Sequence, residues 1–356
     1  MKKNHLKFTF LVSIVLFMFT AVFVGCEPER SEPADTTALN ELIDSCQDLL
    51  DDATTDDYPQ SAIDALNAVL TTAKTALKND KISQTQVDNL VVQLENAKEV
   101  FLAAAYGAIP KEALILGLSF DEGTGESLIT DGKKWTAVLK KGPSEIFGTE
   151  TALPTFVDGK KGKAIHFEKG SHLQISDYTA SDLRGSKLSI AVWVKPDKTR
   201  PGNYIISYNY WNSWKFQLQE QNKPFFTVHT EGDGWVDADN ESDFSAPNNA
   251  WTHLAVTLDL NAKKLVFYVN GAPTKEWDGT TKEGLTKGTA PWEYKNTLPL
   301  MIGACTTYAE ANAVWDWDWA RTPEGWDGLY GAIDELKVYN IALTDGQVAK
   351  LYKDEK

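Results

Sequence analysis

The sequence is short of cysteine and histidine and has no surplus of positive charge. Cysteine occurs three times in 356 residues, at positions 26, 46 and 305. Cys46 and Cys305 fall in regions of different character, so no disulfide framework is expected and both read as buried apolar residues. His229 has no second histidine at close spacing, which argues against zinc, while His166 and His253 sit inside strand-like patterns. Acidic residues outnumber basic ones 50 to 35, a net charge of −15. Such a surface repels nucleic acid and anionic lipid and suits neutral sugars, cations or basic partners. There is no Gly-x-Ser-x-Gly elbow and no persuasive cysteine–histidine pair. The strand-like segments are not separated by long crossover helices, which argues against a doubly wound parallel sheet.

At the N-terminus Lys2, Lys3 and Lys7 precede an apolar run from Phe8 to Val24, and Gly25-Cys26 follows. A basic start and a short apolar core predict a secretory signal over residues 1–25. The small residue before Cys26 resembles a bacterial lipobox, although Phe23 stands where that pattern favours Leu. The resemblance implies cleavage before Cys26 and lipidation of its thiol. Removing three lysines moves the balance to 32 basic against 50 acidic residues. Residues 26–35 form an acidic tether, Glu27-Pro28-Glu29-Arg30-Ser31-Glu32-Pro33-Ala34-Asp35. They resemble the surface-export signals of Bacteroidetes lipoproteins, which implies an outer-membrane lipoprotein facing outward, and they equally suit a plain disordered spacer.

Residues 36–106 contain no tryptophan. Leu39, Leu42, Ile43, Cys46, Leu49 and Leu50 recur every three or four residues and predict a first helix. Pro59 suits the first turn of a second, striped by Ile63, Leu66, Val69, Leu70, Ala73 and Leu77. Ser83 and Gln86 have capping-box spacing before a third, striped by Val87, Leu90, Val91, Leu94, Ala97 and Phe101. No single helix of this kind can bury its stripe alone, so a three-helix bundle is expected. The Tyr58-Pro59 start and the stretch Ile82 to Asp88 resemble FIVAR-like modules of bacterial surface proteins. Gly107 and Pro110 mark the boundary.

From Ala113 the period changes to two. Leu114, Leu116, Leu118 and Phe120 share one strand face. Residues 126–160 read as loop, with Trp135 assigned to the core. A strand over Gly162–Phe167 is expected to pair with His172–Ile175 through a Lys169-Gly170 turn. Leu188, Ile190, Val192 and Val194 share a face, with Trp193 on the other. Further strands are expected at 204–208, 214–219, 225–229, 251–258, 265–271, 298–303 and 328–339, and Asn270-Gly271 predicts a tight hairpin turn. In the last strand Asp334 shares its phase with Ala332, Leu336 and Val338, which places a carboxylate on a mostly apolar face where it needs partners or a metal. Leu343, Val348 and Leu351 suit a short helix covering the end of an antiparallel β-sandwich over residues 113–356.

The ordered segments Phe120-Asp121-Glu122-Gly123, Gly162 to Phe167, Leu188 to Pro196, Trp251 to Val256, Phe267 to Gly271 and Gly331 to Glu335 resemble a bacterial laminin-G-like, concanavalin A-like jelly roll. The resemblance implies a structural calcium ion near the first and last long strands, at Asp121 and Asp334, with Glu122 and Glu335 as weaker candidates. The alternative for the aspartates is a turn cap and an acceptor of backbone N–H groups.

Ligand contacts are better argued from the twelve tryptophans. Trp315-Asp316-Trp317-Asp318-Trp319, if extended, puts three indoles on one side and two carboxylates on the other. Apolar sugar C–H faces can lie on indoles while Asp, Asn and Arg groups hold hydroxyls. The candidate ligand residues are Trp211, Trp235, Trp315, Asp316, Trp317 and Asp318. Equally, such tryptophans can pin loops onto a sandwich. The leading expectation is a non-catalytic protein that binds a polysaccharide or glycan at the cell surface, beside other glycan-uptake proteins. The alternatives are an adhesion scaffold for a protein partner and a glycoside hydrolase. No Glu-x-Asp-x-x-Glu pattern of the sandwich-type glucanases is present, and the abundance of acids in an acidic chain is weak support for a catalytic pair.

Overall fold

The computed structural model describes residues 33–314 and 318–356, apart from the side chains of Ser242 and Trp319. The proposed signal, residues 26–32 of the acidic tether with Cys26, and Trp315, Asp316 and Trp317 lie outside the described residues.

Three helices come first: α1 (Thr37–Asp52), α2 (Gln60–Ala76) and α3 (Gln84–Ala103). Their stripes meet in one apolar core, where Leu39, Ile43 and Cys46 lie with Leu66, Leu70, Val87, Leu94 and Phe101. Ser83 and Gln86 form the expected capping box. Pro59 is the cap residue of α2 rather than part of its first turn. Tyr58 stacks on Phe101 with centroids 4.1 Å apart, tying the α1–α2 loop to α3.

The strands then follow. The first group is β1 (Leu114–Leu118), β2 (Ser127–Ile129), β3 (Asp131–Gly132), β4 (Thr136–Lys140), β5 (Thr155–Asp158) and β6 (Lys163–Phe167). Next come β7 (His172–Ile175), β8 (Lys187–Pro196), β9 (Asn203–Tyr208), β10 (Trp214–Leu218), β11 (Pro224–Thr230) and β12 (Gly234–Asp239). Last are β13 (Thr252–Asp259), β14 (Lys264–Val269), β15 (Ala272–Asp278), β16 (Leu300–Ile302) and β17 (Gly331–Tyr339). Two short helices, α4 (Ser144–Phe147) and α5 (Ala180–Leu183), interrupt the first half, and α6 (Tyr308–Val314) and α7 (Asp345–Glu355) lie near the end.

All strand pairs are antiparallel and form two sheets. One sheet runs β15-β14-β13-β8-β17-β1-β3, with β6 also on β17 and β5 on β6; the other runs β12-β11-β10-β9-β16-β7-β4-β2. Their facing sides share one core, where Ile190, Val192, Leu254, Val256 and Phe267 meet Trp214, Phe216, Phe226, Val228 and Leu173. Trp135 belongs to this core, as expected. Asn270 and Gly271 both have positive φ, 50° and 78°, and join β14 to β15 by the predicted two-residue turn.

Four expectations are corrected. The Lys169-Gly170 turn does not close a hairpin, because β6 pairs with β5 and β17 while β7 pairs with β4 and β16 in the other sheet. Residues 126–160 carry β2 to β5 rather than loop alone. Strands β12 and β15 have no counterpart among the expected strands. Helix α7 covers the outer face of the first sheet rather than its end, packing Leu343 and Val348 with Ala191, Ala255, Val266 and Tyr268.

The closing strand β17 carries a fifth correction. Asp334 lies opposite Trp193 and Lys337 opposite Ala191, so three steps along β17 match two along β8. The extra residue is a bulge at Glu335, whose φ is 49°. Ile333 enters the core before the bulge, and Leu336 and Val338 enter after it. Asp334 therefore does not share a face with Leu336 and Val338; it keeps phase with Ala332 on the outer side.

There Asp334 Oδ2 accepts the amides of Lys160 and Lys161 at 2.8 and 3.0 Å, and Oδ1 accepts that of Glu335 at 2.8 Å. Asp121 Oδ1 accepts the Lys163 amide at 2.9 Å. Two carboxylates thus grip the β5–β6 turn. A Cβ at Gly159 would lie 2.6 Å from Asp334 Oδ2, and one at Gly162 1.9 Å from Asp121 Oδ1, so this grip needs glycine at both positions.

Beyond the bulge, Lys337 Nζ donates to Glu335 Oε2 at 2.6 Å and to Glu355 Oε1 of α7. Burial works against the Lys337 ammonium, but the charges of Glu355 and Glu335 more than offset it and raise its pKa. Trp193 donates to Glu355 Oε2 at 3.1 Å and stacks on Tyr352 of α7, with centroids 5.5 Å apart. Burial, helped by the Lys337 charge, pushes neighbouring His253 down to about 3, so it is neutral. The other side of α7 meets the helical bundle, where Lys353 Nζ lies 3.0 Å from Asp56 Oδ1, and the link that follows it, where Gln347 Nε2 donates to Ala108 O at 3.0 Å.

Burial raises the Asp334 pKa to about 6, against the pull of its amide donors, and the Glu335 charge adds to the rise. The folded state therefore binds this proton more tightly than the unfolded chain, and stability falls as pH rises from about 4 through 6. The stability of the native protein relative to Asp334→Asn should drop by on the order of 2 kcal/mol between pH 4 and 7 and stay level above 7. Urea denaturation at stepped pH measures this, and a difference that does not vary with pH refutes it.

Candidate functional site

The turn after β11 reverses the chain at Glu231-Gly232-Asp233, with Asp233 at φ 58°. This hairpin sets His229 directly opposite Trp235 on the outer face of the second sheet. Their rings stack with centroids 4.0 Å apart and planes within 16°. A second indole comes from residues 290–292, which run beside the end of β11. Thr230 bridges Pro291, Glu231 N donates to Ala290 O at 3.0 Å, and Trp292 N donates to His229 O at 2.7 Å. The Trp292 ring lies 5.1 Å from the other face of His229, within 7° of parallel. Arg184 braces this segment through Pro291 O at 2.9 Å and Glu293 Oε2 at 2.7 Å.

The result is an imidazole clamped between two parallel indoles. Trp235 is 46% and Trp292 37% exposed, while His229 is 7% exposed. Large apolar rings held rigidly in solvent are the costly arrangement that a binding surface explains. The strand β12 alternates strictly, with Trp235 and Asp237 outward and Val236 and Ala238 in the core. Asp237 accepts the Thr227 hydroxyl at 2.6 Å, and Asp233 Oδ1 lies 3.2 Å from His229 Nε2.

Beside this platform the loops form a small core of their own. Tyr204, Tyr210, Cys305, Ala311, Ala320 and Trp326 are buried together, and half-buried Trp211 packs against them. Trp211 thus serves in part as the loop pin that the sequence left open, in edge contact with Tyr210 at 4.6 Å. Glu310 of α6, 7% exposed, is the hub. It accepts the hydroxyls of Tyr210 and Tyr294 at 3.0 and 3.2 Å and pairs with Lys295 at 2.8 Å. One carboxylate therefore joins the corner bearing Trp211, the segment bearing Trp292 and the helix that leads to Trp315. The corner's Ser213 O accepts His229 N at 2.7 Å, so the corner bearing Trp211 and the strand β12 bearing Trp235 flank β11 on opposite sides.

Asp318 is exposed, its carboxylate 3.5 Å from Arg321, and Trp315, Asp316 and Trp317 fall outside the described residues. Trp193, buried, serves the α7 contact, and Trp251 is half-buried with Lys195 Nζ 5.1 Å from its ring. The sequence reading did not choose Trp292 or His229. The signal was present: His229 and Trp235 stand symmetrically about a turn rich in Gly and Asp, the pattern of a hairpin pair.

The metal candidates Asp121 and Asp334 both hold the β5–β6 turn. Calcium needs six to eight oxygen ligands, and the Asp334 and Asp121 oxygens already accept four peptide N–H groups. Glu335 is engaged by Lys337. Among the described residues no group of three or more His, Cys, Asp or Glu side chains is placed to hold a metal ion. The donor set fits amides rather than calcium. We therefore expect the melting temperature in excess EDTA and in millimolar CaCl2 to agree within about 2 °C; a rise of 5 °C or more in calcium would restore the metal role.

Domain 4 of AbnA, a GH43 extracellular arabinanase from Geobacillus stearothermophilus solved with arabinotriose, is similar at 19% identity and a TM-score of 0.46, over 67% of this chain and 98% of that one. The binding domain of Paraclostridial Mosquitocidal Protein 1 aligns at 16% identity and a TM-score of 0.47, over 68% of this chain and 52% of that one. The botulinum neurotoxin DC binding domain, in complex with SialylT, aligns at 14% identity and a TM-score of 0.45, over 69% of this chain and 52% of that one. The chain thus spans about half the length of these two toxin domains. No curated protein matches it in sequence. Residues 167–349, just over half of the chain, match the family described as the concanavalin A-like lectin/glucanases superfamily, and the chain belongs to that superfamily.

Proposed function

We propose that this chain is a non-catalytic glycan-binding protein, and that Trp235 and Trp292 are its principal contacts. The observation that carries the reading is the pair of exposed, parallel indoles clamped on His229. A pyranose ring has an apolar C–H face that matches an indole, and a rigid aromatic pays little entropy on binding. The nearby Asp233 and Asp237 supply acceptors for hydroxyls. The membership of the chain in a superfamily of lectins and glucanases is compatible with this reading, although one sandwich hosts many functions. In a double variant, Trp235→Ala/Trp292→Ala, affinity for the recognised polysaccharide should fall at least tenfold, about 1.4 kcal/mol or more, with a melting temperature within a few degrees of native. A glycan array followed by calorimetry measures this, with Trp315→Ala/Trp317→Ala as a second pair. Equal binding by native and Trp235→Ala/Trp292→Ala proteins would refute the platform, and polysaccharide turnover would make the protein an enzyme.

The location belongs to the same proposal. Cys26 after Gly25 supports a lipid anchor, and the acidic tether supports display on the outer face of an outer membrane, near other glycan-uptake proteins. Native protein expressed in a Gram-negative host should incorporate labelled palmitate and Cys26→Ser should not. Label retained in Cys26→Ser would rule out anchoring at that thiol.

A further inference from the structure

Trp235 and Trp292 differ from Trp193, Trp251 and Trp277 in what lies over the ring. Each of those three has a lysine ammonium 4.5 to 5.1 Å from its centroid. No lysine or arginine of the described residues lies over Trp235 or Trp292, although both indoles are exposed. The face of an indole attracts cations more strongly than that of any other side chain.

The rim of this platform is acidic. His229 Nε2 is on the edge of a ring held between the two indoles, and Asp233 Oδ1 is 3.2 Å from it, so a carboxylate stands at the edge of the stack. The Asp233 side chain is 85% exposed. Asp237 projects to the same side of β12 as Trp235, about 7 Å along the strand, and its carboxylate accepts the Thr227 hydroxyl. Glu231, in the same turn as Asp233, accepts the amide and the hydroxyl of Thr289, both at 3.2 Å.

The cations nearby are committed elsewhere. Arg184, Lys223 and Lys287 pair with Glu293, Asp239 and Glu283. Lys282 donates to the main-chain carbonyl of Asp237, not to its carboxylate, and sits over Trp277. Among the described residues, Glu231, Asp233 and Asp237 therefore have no lysine or arginine partner. Three exposed carboxylates without a basic counter-charge border two bare indoles, on a chain of net charge −15. Aromatic faces and carboxylates held together suit an organic ammonium, the faces by cation–π attraction and the carboxylates by charge-assisted hydrogen bonds.

We infer that the ligand unit on this platform is a sugar bearing a free amine, its C–H face against an indole and its ammonium toward Asp233 and Asp237. The inference rests on the glycan-binding reading and names the chemical class of the ligand. A sugar carboxylate would be repelled by the same three charges. A neutral sugar would cover the indoles and leave the carboxylates no better paired than in water. A lysine side chain would meet the carboxylates, but it brings a flexible stem to faces wide enough for a ring.

The test varies one substituent on a constant ring. β-1,4-linked oligomers of glucose, N-acetylglucosamine and glucosamine carry a hydroxyl, an acetamide and an amine at the same carbon. An oligolysine of equal length carries the charge without the ring. Binding is measured by calorimetry at a mildly acidic pH, where the sugar amine is an ammonium. Native protein should bind the glucosamine oligomer about fivefold or more tightly than the other two sugars and the oligolysine. Added salt should shrink that preference. Asp233→Asn/Asp237→Asn should bring the ratio of glucosamine to glucose affinity to within about twofold, with a melting temperature close to native. Equal or weaker binding of the glucosamine oligomer by native protein, or a preference that survives in Asp233→Asn/Asp237→Asn, overturns the ammonium site. Oligolysine binding as tightly as the glucosamine oligomer makes the occupant a basic protein segment and overturns it too. If Trp235→Ala/Trp292→Ala loses a neutral glycan that native protein prefers, the platform stands and the ligand class alone falls. If native protein binds none of these oligomers and no glycan of an array, both readings fall.

Discussion

One extra residue in the closing strand sets much of the first sheet. β17 sits between β8, β1 and β6, so every side chain it presents is constrained from several sides. A strand with unbroken alternation would have to bury Asp334 in the apolar core or turn Leu336 and Val338 out of it. The bulge at Glu335 avoids both. It leaves Asp334 to hold the β5–β6 turn and Lys337 to meet Glu355 of α7. The loop grip and the helix contact are consequences of the same local irregularity.

The second sheet solves a different problem. Its inner side is uniformly apolar, but its outer side changes along the strands from exposed at β12 to buried at β10. Lys215 shows how far that burial goes. It is 5% exposed, bonded to Gln217 Oε1, with Phe225 and Tyr204 rings 4.8 and 5.2 Å from its ammonium. Burial depresses its pKa. A polar face is thus covered by loops whose own aromatic residues make a secondary core around Glu310. The rigid edge where this cover stops is where the indoles reach solvent.

The helical stripes, the Ser83–Gln86 cap, the Asn270-Gly271 turn and the core faces of β8 and β13 were legible because each depends on neighbours three or four residues away at most. The closing bulge was not, since period-two reading assumes no inserted residue and Glu335 carries no glycine to announce it. Pairing of β6 with β7 was misread because a short glycine turn looks alike whether it closes a hairpin or passes between sheets. Of the candidate site, Trp235 was chosen from its loop-like surroundings, and its strand β12 was missed. Trp292 and His229 meet across 63 residues, a separation at which sequence spacing carries no signal.

Helix α7 gives the molecule a definite mechanical character. It is joined to the sandwich by Glu355, Tyr352 and Val348, to the helical bundle by Lys353 and to the link between them by Gln347. Tension between the bundle and the sandwich is therefore carried by this helix as well as by the covalent link near Gly107. Its grip on the sheet is a buried ionic contact, whereas its grip on the bundle is an exposed one that salt weakens. Under load the two units should part first at the bundle, leaving the sandwich and its aromatic edge intact, so that the junction yields as a compliant joint before the binding face deforms.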